Sequence, residues 1–187
     1  MEKWVLPQTV EIGNEIYKIN TDYRDILEII EYLNSDEDEQ TRALIVLSLF
    51  YDGFSQMDNA NYEEALKYLM LFINCGEAID DRPIPKMIDW EQDYSMIAPE
   101  INKIAGYEVR LASYLHWFTF IGYFHSIGDG QLAMIVSIRN KKRKGQRLEK
   151  WEREFYRDNK EKIDLKVKYT AEEQAEIDRL NRLMEGG

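Results

Sequence analysis

The chain has 187 residues, with 24 Lys and Arg against 35 Asp and Glu, giving a formal net charge of −11. A hydrophobic share of 44%, including 4 Trp, 12 Tyr and 7 Phe, is enough to fill a packed core and excludes a wholly disordered or fibrous chain. One cysteine excludes a disulfide framework, and two histidines leave little for His-rich metal chemistry.

The first residues, Met-Glu-Lys-Trp-Val-Leu-Pro, lack a basic stretch followed by an apolar run, so no secretory signal is expected. The longest apolar stretches, around Ala43–Tyr51 and Tyr114–Phe124, fall short of the roughly 20 residues a membrane span needs. The expectation is a soluble protein in a reducing cytoplasm, with no membrane partner.

In chain order, Val10–Ile12 and Glu15–Ile19 flank Gly13-Asn14 and predict a small β-hairpin. Thr21 is placed to cap a first helix with Asp22 and Asp25 in its first turn, and with Ile26, Leu27, Ile29, Ile30 and Leu33 on its apolar face. A polar break at Asn34–Asp38 precedes an apolar run from Ala43 to Tyr51 that stops at Gly53. Asn61 and Glu64 have capping-box spacing ahead of a helix ending near Gly76. The two prolines in Asp80–Pro85 mark a hinge within one domain. Asp89 to Ala105 reads as one or two helices broken near Pro99, and Val109 to Ile127 as the most apolar helix of the chain. A helix from Leu132 runs into a basic stretch. After Gly145, Leu148, Trp151 and Phe155 line one face of a charged helix, and Thr170 with Glu173 caps a last one. The fold class is therefore mainly α, a multi-helix bundle-like domain with a small N-terminal β-hairpin. It is expected to form one domain over 1–168, with a helical extension at 169–187.

Charge is unevenly distributed. Residues 1–138 carry 9 basic and 24 acidic side chains, whereas 139–168 carry 13 basic and 6 acidic. Such asymmetry implies a charged partner, or docking between opposite patches of the protein or its oligomer.

No catalytic constellation emerges. His116 and His125 lie nine residues apart on one predicted helix, facing opposite ways, and so cannot share a metal. Cys75 has no histidine near it in sequence and reads as a small buried thiol. Asp89 and Asp93, with Glu91 and Glu100 close by, have the spacing of a carboxylate pair, but read as a solvated helix face. No phosphate-loop pattern is present. A non-catalytic protein without cofactor or metal is expected.

The candidate partner-binding residues are Arg139, Lys141, Lys142, Arg143, Lys144 and Arg147, with Trp151 and Phe155 after them. Nucleic-acid binding is the alternative that such a run allows. The acidic remainder of the chain and the absence of interleaved aromatics before Trp151 weigh against it.

Several blocks together carry a resemblance: residues 10–24, Met87–Asp93 with its Asp-Trp-Glu-Gln-Asp, Ala105–Tyr107, Leu115–Phe120 with its Leu-His-Trp, and Ile135–Arg139. The chain resembles the bacteriophage family named after a gene product fifteen, over roughly residues 5–165. Phe118 stands where relatives often carry a second Trp. The resemblance implies a tail assembly chaperone of long, non-contractile-tailed phages or prophages of Gram-positive bacteria. The implied partner is the tape-measure protein. The tail-tube protein, a companion chaperone and self-association are further options. It also implies residence in the host cytoplasm, absence from the mature virion, and no catalytic residues.

Overall fold

The computed structural model describes residues 4–78 and 85–166. The architecture is mainly helical with one two-stranded hairpin at the N-terminal end. Thr9–Ile12 (β1) and Glu15–Lys18 (β2) pair antiparallel with Val10 opposite Tyr17. The turn places Gly13 at φ +61°, a left-handed value that favours a residue without Cβ. A lone hairpin is marginal in water. This one rests on the helices: Ile12 and Tyr17 are buried, Asn20 N donates to Phe50 O at 2.8 Å, and Asp52 N donates to Lys18 O at 2.9 Å.

Tyr23–Leu33 (α1) buries Ile26 and Ile29, with Leu27, Ile30 and Leu33 half-buried beside them. Its cap is Asp22 rather than Thr21. The Asp22 carboxylate accepts from Arg24 N at 3.0 Å and from Leu115 N at 3.0 Å, so it serves two segments. Thr21 is buried, with its Oγ1 2.6 Å from the Tyr114 hydroxyl. Glu39–Phe50 (α2) starts four residues before the apolar run, because Asp38 accepts from Gln40 N and Thr41 N and turns the expected polar break into a cap.

Tyr62–Ile73 (α3) grows out of a single 3-10 turn at Asn59–Asn61 that Asp58 caps. The expected Asn61–Glu64 box does not form. Asn61 is already helical and makes no cap, while Glu64 accepts from Gly13 N at 3.2 Å. Tyr94–Ala105 (α4) continues through Pro99 instead of breaking there. Pro99 is exposed and is the sixth of the twelve residues of α4, where its missing N–H removes one hydrogen bond.

The largest departure concerns 109–127. A 3-10 turn at Val109–Leu111 is followed by extended chain, and the helix Trp117–His125 (α5) begins only after His116. Tyr23 N donates to Leu115 O at 2.9 Å and Trp117 N to Thr21 O at 2.8 Å, so residues 115–117 bond to 21–23 instead of to a helical turn. The two histidines thus sit at the N-cap and the last turn of one short helix.

Gln131–Arg143 (α6), Lys150–Asp158 (α7) and the single turn Lys160–Ile163 (α8) complete the described chain. Glu149 and Glu152 form a reciprocal capping box at the start of α7. The core joins Phe50, Leu69, Phe72, Ile101, Trp117 and Ile135, and the Trp117 indole N–H donates to Ile73 O at 2.9 Å. The prolines at 83 and 85 flank the hinge expected at 80–85, of which only Pro85 lies within the described residues, and the helix expected from Thr170 lies outside them. Among the described residues no helix is long and apolar enough to cross a membrane.

Candidate partner-binding surfaces

The basic run divides into an inner and an outer half. Arg139, expected to face a partner, is instead buried at 6% exposure. Its guanidinium makes five hydrogen bonds: to both Asp93 oxygens at 2.6 and 2.8 Å, to Met87 O at 2.9 Å, to Ile163 O at 2.6 Å and to Lys162 O at 2.9 Å. Five donors meet five acceptors, which is the complete capacity of the side chain. The helical period places Arg139 one residue after Ile138 and four after Ile135, on the inward face of α6, so a cation there requires a carboxylate. Asp93 supplies it and is itself fully buried, not part of a solvated face.

Lys141 and Lys142 are also engaged within the chain. Lys141 donates to Glu152 at 2.7 Å, and the ammonium holds that carboxyl below its usual range. Lys142 donates to the Tyr156 hydroxyl and to Asp164. Burial alone would raise the Asp164 carboxyl, but hydrogen bonds from Lys142 and Tyr156 outweigh it and hold the group below its ordinary value. Gln92 adds a clasp, donating to Asp164 O at 2.9 Å and accepting from Lys166 N at 3.0 Å. Together these bonds fix the 160–166 segment against α6 and the turn before α4.

Arg143, Lys144 and Arg147 form the outer half and are exposed around the Gly145 turn. Trp151 stands 54% exposed on α7, between the exposed Lys150 and Arg153. Phe155 is half-buried and packs against the core, so it anchors α7 more than it faces outward. The surface that can meet a partner is therefore Arg143, Lys144, Arg147, Lys150, Trp151 and Arg153. Sequence reasoning missed Lys150 and Arg153. The signal available was Glu152: a capping acid fixes the phase of α7 and turns its neighbours outward.

The acidic cluster is accounted for by local structure. Asp89 accepts from Glu91 N, from Gln92 N and from Lys86 Nζ at 3.0, 2.8 and 2.7 Å. Burial raises its carboxyl, but those bonds prevail and lower it overall. Asp93 is saturated by Arg139 and Asp89 N. Among the described residues no group of three His, Cys, Asp or Glu side chains could hold a metal ion. Burial pushes the Cys75 thiol up to about 11, away from a reactive thiolate.

A second surface was not visible in the sequence. Between α1 and the turn at Trp90 lies an open groove of about 590 Å³, floored by Leu27, Ile30 and Trp90. Trp90 is held from behind by Trp117, Phe120 and Phe124, with ring centroids 6.2, 6.0 and 4.8 Å away. Arg24, Glu28 and Glu31 line the α1 side.

Comparison with curated proteins and with solved structures returns no match. The family model described as Bacteriophage Gp15 protein matches residues 3–165, which takes in the hairpin, the Asp93–Arg139 pair and the Trp151 surface. The chain belongs to the bacteriophage Gp15 protein family.

Proposed function

We propose that this phage protein is a tail assembly chaperone that binds and solubilises the tape-measure protein and helps recruit tail-tube subunits, without catalysis or cofactor. It acts in the host cytoplasm and is left out of the finished virion. Family membership supports the phage context. The observation that carries the reading is the Trp151 surface: an exposed indole flanked by cations, on a helix pinned to the rest of the chain by Glu152 and Phe155. A tape measure presents long apolar helical stripes that aggregate when bare, and an aromatic anchor with polar surroundings is suited to covering one reversibly. Release during tube assembly calls for modest affinity per copy and many copies acting together.

The test is co-expression with the candidate tape-measure protein, scoring its solubility and co-purification. A variant carrying Trp151→Ala, Arg143→Ala and Arg147→Ala is expected to fold and to lose most of the recovered partner. Unchanged recovery would sink the proposal. Retention of the protein on DNA or RNA that falls steeply with salt would favour nucleic-acid binding instead. Internal pairing of Arg139, Lys141 and Lys142 takes half of the original six cations out of that electrostatic footprint.

A further inference from the structure

The groove beside α1 carries exposed carboxylates on its helical rim, whereas the Trp151 surface is cationic. Residues 25–41 contain Asp25, Glu28, Glu31, Asp36, Glu37, Asp38 and Glu39 and no lysine or arginine, and all but the half-buried Asp25 are exposed. Of this stretch Glu28 and Glu31 line the α1 rim of the groove, beside Arg24, whose guanidinium is held by Asp22, while the opposite rim carries Asp89, Glu91, Lys86 (paired with Asp89) and Lys166. Residues 143–153 show the reverse balance: five cations, and two acids that are occupied by the α7 capping box and by Lys141. The exposed indole of Trp151 presents an apolar body of the kind that the Leu27, Ile30 and Trp90 floor would cover, and about 590 Å³ is ample for it. Among the described residues no ion pair joins the two surfaces within one chain.

We infer that the occupant of the groove is a second copy of this chain, whose Trp151 enters between α1 and the Trp90 turn while Arg143 and Arg147 face Glu28 and Glu31. The two surfaces are unlike and every copy carries both, so the contact is heterologous and extends into a ring or an open chain. The attraction acts largely between exposed charges, so it weakens as the Debye length falls from about 10 Å at 0.1 M salt to about 3 Å at 1 M. The tape-measure protein, if it uses the Trp151 surface as proposed above, competes with this contact. Self-association would then keep the indole covered until the client is present.

The experiment is analytical ultracentrifugation of the full chain alone, at low and at high salt. Concentration-dependent association at low salt that is lost at high salt is expected. Two charge reversals, Arg143→Glu with Arg147→Glu and Glu28→Lys with Glu31→Lys, should each weaken association by about tenfold or more, because like charges then oppose each other. An equimolar mixture of the two variants should associate where neither does alone, which also shows that both remain folded. Trp151→Ser should weaken association without reversing any charge. A monomer at low salt, association that survives either reversal, or a mixture that stays monomeric would overturn the inference. The assay contains no tape-measure protein, so a negative result leaves the chaperone proposal standing.

Discussion

Around α2, α3 and α5 the interior is aromatic. Phe50 lies against Tyr51 and Phe72 at 4.9 and 5.1 Å between ring centroids, and Tyr23 stacks on Phe120 at 4.4 Å. Across α6 to α8 the chain is held differently: Ile138 and Ile163 are buried, but beside them Arg139 and Asp93 carry charge to the same depth. The first region tolerates error in direction, since apolar contact is roughly proportional to area. The second does not, because each buried N–H and C=O must meet its partner or cost about 1–3 kcal/mol. A basic run that looks uniform in sequence therefore contains one residue that behaves as core and others that behave as surface.

The largest effects should come from breaking each region at its centre. Trp117→Ala removes a buried indole and its bond to Ile73 O, and should destabilise by about 3–5 kcal/mol. Arg139→Ala should destabilise by a similar amount, about 3–5 kcal/mol, since it leaves Asp93 charged and buried without its partner. Urea unfolding distinguishes the two mechanisms through a second variant. The pair Arg139→Met with Asp93→Leu should be more stable than either single change by about 1–3 kcal/mol, because no lone charge remains. The double variant will not reach the parent, because the carbonyls of Met87, Lys162 and Ile163 lose their donor. A double variant no better than Arg139→Met alone would show that the loss comes from those carbonyls and not from a bared Asp93 charge.

A smaller effect is expected at His116, where the two kinds of interaction meet in one residue. Its Nδ1 accepts from Phe118 N at 3.1 Å and caps α5, while Nε2 lies 3.1 Å from Pro7 O among the rings of Phe72 and Phe118. With Nδ1 accepting, the neutral ring donates from Nε2. Burial lowers the pKa below its ordinary value of 6.5. The unfolded chain therefore takes up the proton first, so stability is complete above about pH 6.5 and is lost as pH falls through the folded value. His116→Ala should cost about 1–2 kcal/mol at neutral pH and flatten this dependence, as thermal melts across pH 5 to 8 will register.

These cases also show how far the sequence could be read. The hairpin was legible because Gly13-Asn14 between alternating residues permits few other structures. α1 and α3 were legible through their apolar spacing. The helix written over 109–127 was not, because the pattern Tyr114, Trp117, Phe118, Ile121 satisfies helical periodicity on both sides of His116. What ends the helix is a long-range bond set between 115–117 and 21–23, and local spacing carries no trace of it. Asp93 and Arg139 are 46 residues apart, and each looked like surface until the fold joined them. The groove at Trp90 was hidden for the same reason, since its two walls are supplied by α1 and by the turn before α4.

The smallest change in stability should accompany the largest change in binding. Trp151 is 54% exposed and Lys150, Arg153 and Glu154 near it on α7 are exposed too, so Trp151→Ala should alter unfolding free energy by no more than about 0.5 kcal/mol. Phe155→Ala, on the same helix but packed against the core, should be clearly more destabilising, at about 1–3 kcal/mol. Measuring both by urea unfolding separates anchor from contact. If Trp151→Ala were as damaging as Phe155→Ala, the indole would be serving the fold, and its exposure would lose its meaning for a partner. If only Phe155 matters for stability, then any loss of tape-measure recovery in the Trp151 variant has to be assigned to the surface itself. The same pair of variants thus tests whether the boundary drawn through the basic run, buried at Arg139 and open at Arg143, continues correctly along α7.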